Sequence, residues 1–416
     1  MSAITPLPLG VRALNAVGRS IRALGVPLGR LDADALVAAA CKRSGLSDFG
    51  GETFRDGLEH LVASLESEAR LSTLGRVIAR TEILLLLENR LQMQEWRRRN
   101  PEIAAVKIER PIFIVGMPRT GTTILHQVIA QDPRIRVPMT WEVDLPFPPP
   151  ESATYASDPR IAEANKTLAK TDTLIPDFKR MHPMGAELPQ ECVRMTAMDF
   201  ASMIFHTTYR VPSYASWLHS EADLAPAYAI HRRMLQHLGW RCARDRWVLK
   251  SPGHLWHVEA LLREYPDACL VQTHRDPLKI VASLTSLVSA LRTMASDRVE
   301  RLDVAREWAE QVQSGLEASV RVRESGIVPR EQVVDIQFRE FMADPLATVR
   351  RIYERFGLDL DADAERRMRA FLAANPDDKH GKHAYRFADT GLSLDEERSR
   401  VAHYQRFFDV PSEASV

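Results

Sequence analysis

The stretch PIFIVGMPRTGTTILHQVIAQDP, Pro111 to Pro133, decides how the rest of the chain is read. Ile112 to Val115 is a short apolar, β-branched run of the kind that forms a buried strand. Gly116-Met117-Pro118 breaks it, Arg119 to Thr123 is a loop of small residues around one arginine, and Ile124 to Ala130 resumes at helical spacing. Strand, glycine loop and helix in that order make an anion site. Successive backbone N–H groups curl toward one point, and the positive end of the helix dipole faces the same point.

The spacing Gly116-x4-Gly121-Thr122-Thr123 fits the nucleotide P-loop except where that pattern requires lysine. Thr122 stands in that place, and the nearby cation is Arg119, inside the loop. In an NTPase the lysine reaches the β- and γ-phosphates beside a magnesium ion. This loop is suited instead to cradling one phosphate and aiming an arginine at whatever that phosphate carries. The bland alternative is a strand-to-helix turn with an incidental arginine.

The loop Pro118-Arg119-Thr120-Gly121-Thr122-Thr123 resembles the 5′-phosphosulfate-binding loop of the sulfotransferases, which use 3′-phosphoadenosine 5′-phosphosulfate as sulfuryl donor. Its arginine resembles that of tyrosylprotein and bacterial members. The resemblance covers about Pro111 to Pro345 and includes the run from Val248 to Ser283: strand, lysine, proline, helix, strand, Arg-Asp, helix. It implies that Arg119, Thr120, Gly121, Thr122 and Thr123 hold the donor's phosphosulfate. It further implies that Arg119 and Lys250 share the charge that builds on the bridging oxygen. No metal is implied.

Arg275 and Ser283 stand eight apart, a little over two helical turns, so both can point to one end of the sheet. An arginine fork plus a hydroxyl suits a phosphate monoester, and the pair resembles the family's 3′-phosphate motif. An acceptor hydroxyl or amine also needs a base. Glu142 leads, because tyrosylprotein-type members carry a glutamate at nearly this distance after the loop helix; His182, Glu187 and Glu191 are the alternatives. Phe338 takes the place of an aromatic near the donor's base, and Lys379, Lys382 and His383 resemble a basic loop that closes over the donor in heparan-type members.

Around this element, Arg246 to Lys250, Ala268 to Thr273 and Gln332 to Phe338 read as further strands, alternating with helices at Trp256–Glu264, Leu278–Leu291 and Pro345–Phe356. The expected fold class is α/β: a P-loop-type parallel sheet flanked by helices. Residues 1–106 form a helical N-terminal region. An α/β domain follows over 107–416, with a helical acceptor-side insertion at about 151–240. Pro138 to Pro150 is expected to be extended. The methionines and aromatics between Met181 and Trp217 suit either an apolar acceptor pocket or core packing.

Lysine plus arginine balances aspartate plus glutamate, 55 against 55, which argues against a nucleic-acid partner and leaves anion binding to local placement of charge. Cys41, Cys192, Cys242 and Cys269 are scattered and read as thiols of a reducing, cytoplasmic setting. No segment reads as a membrane span or secretory signal. The first 31 residues hold four arginines and no acid, with Val11, Leu14, Val17, Ile21 and Leu24 at helical spacing. A packed amphipathic helix is preferred there over a membrane-surface one. The expectation is a sulfotransferase acting on a hydroxyl or amine acceptor, leaning toward a small molecule or lipid. A nucleotide kinase or NTPase is the rival from the same fold, and a nucleotide-sensing adaptor the non-catalytic one.

Overall fold

The structure is a computed structural model that describes residues 7–26, 28–174, 184–376 and 386–413. Four N-terminal helices come first: α1 (Leu9–Ala23), α2 (Ala33–Ser44), α3 (Phe54–Ser67) and α4 (Thr73–Arg99). The strands are β1 (Ile112–Val115), β2 (Ile135–Arg136), β3 (Arg246–Lys250), β4 (Cys269–His274) and β5 (Val333–Gln337), and helix α5 (Thr122–Ile129) lies between β1 and β2. They form one sheet in the order β2-β3-β1-β4-β5, with every neighbouring pair parallel.

A strand buried on both faces needs apolar residues at consecutive positions rather than alternation. In β1 all four residues are buried. Phe113 and Val115 join a large core shared with α2, α3, α4 and the middle of the chain. Ile112 and Ile114 join a second core with α5 and the helix Pro345–Phe356. The N-terminal helices therefore pack onto the sheet through one continuous apolar cluster. Met195, Met198, Phe200, Phe205 and Tyr209 are buried in that same cluster, so their role is core packing.

Two readings of the sequence are corrected. Thr140–Asp144, inside the segment expected to be extended, is a short helix, because prolines crowd only the residues after it. The helix Pro277–Ala295 is long and apolar enough to cross a bilayer, but 72% of its apolar window is buried and it runs through the core. The elements that went unread include β2, only two residues long, the 24-residue helix Arg301–Glu324 and the helix Ala362–Ala374.

Candidate active site

Parallel strands deliver their carboxyl ends to one edge of a sheet, and ligands of such sheets bind there. Here that edge collects the loop after β1, Lys250 at the end of β3, Arg275 just past β4 and Phe338 just past β5. Registration sets Lys250 beside Ile114, one residue short of the end of β1.

The loop is shaped by residues that leave no room for side chains. Gly116 has φ +152°, and a Cβ there would lie 2.3 Å from Thr273 Oγ1; at Gly121, with φ +87°, it would lie 3.1 Å from Phe341 Cδ1 and 3.3 Å from Phe338 Cδ2. Arg119 holds the left-handed region at φ +73°, an unfavourable conformation for a residue with a Cβ. Its side chain is exposed at the mouth of the loop. The Thr120 hydroxyl turns inward, donating to Met117 O (2.7 Å) and bonding Thr273 Oγ1 (2.6 Å), so Thr120 braces the loop and offers a ligand only its backbone. Thr122 opens α5 and is buried. The first N–H groups of that helix have no intrahelical acceptor.

Lys250 is 2% exposed. Its ammonium donates to Thr123 Oγ1 (3.3 Å) and pairs with the Glu191 carboxylate. The Lys250 carbonyl accepts from Cys192 N (2.9 Å), which ties β3 to the segment carrying Glu191. Beneath them, burial and the nearby Lys250 charge hold His126 down to about 3, and its neutral ring donates to Val248 O at 3.0 Å.

Arg275 stacks its guanidinium 3.9 Å from the Phe338 ring centre. It donates to Arg119 O (2.9 Å) and grips the Glu413 carboxylate through Nε (2.8 Å) and Nη2 (3.2 Å). Glu413 N in turn donates to Asp276 Oδ2 (2.7 Å), and Arg398 pairs with both oxygens of Asp276. Ser283 is buried, and its hydroxyl has no hydrogen-bond partner among the described residues. A buried hydroxyl left with spare bonding capacity is a group to which a ligand can bond.

The expected base lies elsewhere. Glu142 is fully buried and forms a bidentate pair with Arg136 on β2, at 2.8 and 2.7 Å. It also accepts from Met139 N (2.8 Å) and Tyr155 OH (3.2 Å). Four donors saturate the carboxylate, and β2 is separated from the loop strand by β3. Nothing is left to take a proton from an acceptor, so the placement expected of Glu142 is corrected. Glu187 is exposed. His182, Lys379, Lys382 and His383 lie outside the described residues. Sequence reasoning missed Glu413 and the bracing Thr273 altogether.

A glycine loop at the end of a central parallel strand, with a buried lysine and an arginine at the same sheet edge, defines an anion-binding site in a parallel α/β fold. The chain belongs to the sulfotransferase family, whose model matches residues 111–362. It is 26% identical over 275 residues to the omega-hydroxy-beta-dihydromenaquinone-9 sulfotransferase Stf3 of Mycobacterium bovis, covering 65% of this chain and 68% of that one. Two solved sulfotransferases share the fold. STF1 from Mycobacterium tuberculosis is 33% identical, with TM-score 0.80 over 90% of this chain and all of that one. STF9 from Mycobacterium avium is 31% identical, with TM-score 0.84 over 92% and 97%. The chain is thus an enzyme of sulfuryl transfer, and the kinase and adaptor readings are not favoured.

Proposed function

We propose that the donor is 3′-phosphoadenosine 5′-phosphosulfate and the acceptor a hydroxyl on an apolar small molecule or lipid, with Glu191 rather than Glu142 as base. The observation that carries this is the buried Lys250 ammonium, set between Glu191 and Thr123 at the glycine loop. The residues present fit such a donor. Gly116 and Gly121 let the loop turn tightly against Thr273, Phe338 and Phe341, and Ser283 offers a buried hydroxyl to the 3′-phosphate. When bound, the donor supplies an activated sulfuryl group.

The chain's own contribution follows from charge and placement. The N–H groups opening α5, with Arg119, hold the phosphate beside the sulfuryl group. Lys250 stabilises the negative charge that appears on the departing oxygen, and preorganised positive charge in a dry site is effective there. Glu191 is 19% exposed by side chain, which leaves it reachable by an acceptor that the paired Glu142 cannot meet. It accepts the hydroxyl proton as the acceptor oxygen bonds to sulfur.

A lipid-like acceptor is supported by the name of the relative Stf3, which sulfates a menaquinone derivative. The four cysteines are free thiols, which suits the cytoplasmic setting included in this reading. Calorimetry with adenosine 3′,5′-bisphosphate in the presence of a chelator tests the donor. Tight binding without magnesium and weak binding of ATP are expected; tight, magnesium-dependent ATP binding would overturn the assignment. A screen of hydroxyl acceptors with labelled donor tests the acceptor class.

A further inference from the structure

Helix α1 is turned the wrong way round for a packed amphipathic helix. The residues it buries are Asn15 and Gly18. Asn15 Oδ1 accepts from Leu74 N (3.0 Å) at the start of α4, and its Nδ2 donates to Asp297 Oδ1 (3.2 Å). Gly18 lies so close to α4 that a Cβ there would meet Thr73 Oγ1 at 1.9 Å. Arg19 adds an ion pair to Asp297 (2.7 Å) and Arg22 a hydrogen bond to Thr73 Oγ1 (3.1 Å). Polar and small residues therefore seat the helix.

Its apolar arc faces out. Leu9 is 78% exposed, Leu14 49%, Val17 59% and Leu24 83%, and Val26 and Leu28 extend the exposed set past the helix. At 100° per residue Leu9, Ala13, Val17 and Leu24 fall on one side, and Arg12 and Arg19, seven apart, on one flank. A contiguous apolar face flanked by arginines is the design of a helix that lies in a bilayer interface. The charge selects the partner. Arg19 is paired with Asp297, so the charge that selects the partner is that of the exposed Arg12 and Arg30; a second copy of this face would bring arginine toward arginine, whereas an anionic lipid surface complements it.

The geometry points to α1 as a membrane-surface anchor that docks the enzyme on anionic lipid bilayers. The anchor sits opposite its own seating contacts, so docking leaves the Asn15 and Arg19 bonds intact. It stands on the orientation and charge of α1 and not on the acceptor reading.

The test is co-sedimentation of the full chain with vesicles of phosphatidylcholine, and of phosphatidylcholine mixed with phosphatidylglycerol. Binding to the mixed vesicles, weakening as salt is raised, is expected. Leu14→Glu and Val17→Glu, both at exposed positions, should each lower that binding by roughly tenfold or more. Their melting temperature and adenosine 3′,5′-bisphosphate affinity should not change. Absence of binding to the mixed vesicles at low salt would overturn the proposal, as would binding that both variants retain. Concentration-dependent self-association lost in both variants, without vesicle binding, would assign the face to a second copy instead.

Discussion

Replacing Glu142 with glutamine separates the two roles this residue has been given. In the fold its carboxylate neutralises Arg136, whose side chain is 3% exposed. Without it the guanidinium keeps the carbonyls of Val137, Cys242 and Leu238 and the Tyr155 hydroxyl, but no opposite charge. Removing one partner of a buried pair costs about 3–5 kcal/mol. The amide oxygen can still accept from Met139 N, which favours the lower end. Unfolding entropy of about 2.1 cal/mol/K per residue gives roughly 0.9 kcal/mol/K for a chain of this length, so Glu142→Gln should melt about 3–6 °C lower. Well below that temperature, turnover should stay within about threefold of wild type. Circular dichroism melts and initial rates on the same preparation decide it. An unchanged melting temperature with turnover reduced by about a hundredfold or more would return Glu142 to the chemistry.

Arg275→Ala should weaken adenosine 3′,5′-bisphosphate binding by roughly 30- to 150-fold and Ser283→Ala by about fivefold, read by calorimetry; unchanged affinity removes either residue from the site. Because Glu413 occupies the Arg275 fork, Glu413→Gln should tighten that binding by up to about fivefold, the worth of a part-exposed ion pair; no gain means the pair and the ligand do not compete. Burial holds His126, His206 and His231 down to about 3 and His237 and His257 down to about 4, so all five are neutral in the fold. Free histidine titrates near 6.5, so below that pH the unfolded chain takes up protons the fold refuses. The stability tied to these rings is complete above about 6.5 and falls with pH toward their folded values. At pH 5 each accounts for about 2 kcal/mol of loss, and the five for about 10, comparable to a whole domain's stability. The urea midpoint should drop steeply from pH 6.5 to 5; a flat profile would refute neutral burial.

The central element was legible because its signals are local. A four-residue apolar run, two glycines at fixed spacing and a helix start specify β1, the loop and α5 without reference to distant residues. The placement of Lys250 at the end of β3 and of Arg275 just past β4 was legible because each closes or follows a run of strand-forming residues. β2 carried too few residues for any period to show. The helix Arg301–Glu324 does carry a local signal, since Ala305, Trp308, Val312 and Leu316 recur at helical spacing. Glu142 misled because its partner is Arg136, six residues back on an edge strand, and no local pattern announces a buried ion pair. The hold of Glu413 on Arg275 spans 138 residues and exists only through tertiary structure. For α1 the apolar arc was visible in the sequence. Which side faces the protein depended on Asn15 and Gly18 fitting against α4.

The most direct test of the proposed site is single turnover of labelled donor by Glu191→Gln, with adenosine 3′,5′-bisphosphate affinity measured on the same protein. If Glu191 takes the acceptor's proton beside Lys250, the chemical step should slow by roughly two to four orders of magnitude while that affinity changes little. Near wild-type turnover by Glu191→Gln, with the loss appearing instead in Glu142→Gln or Glu187→Gln, would contradict it.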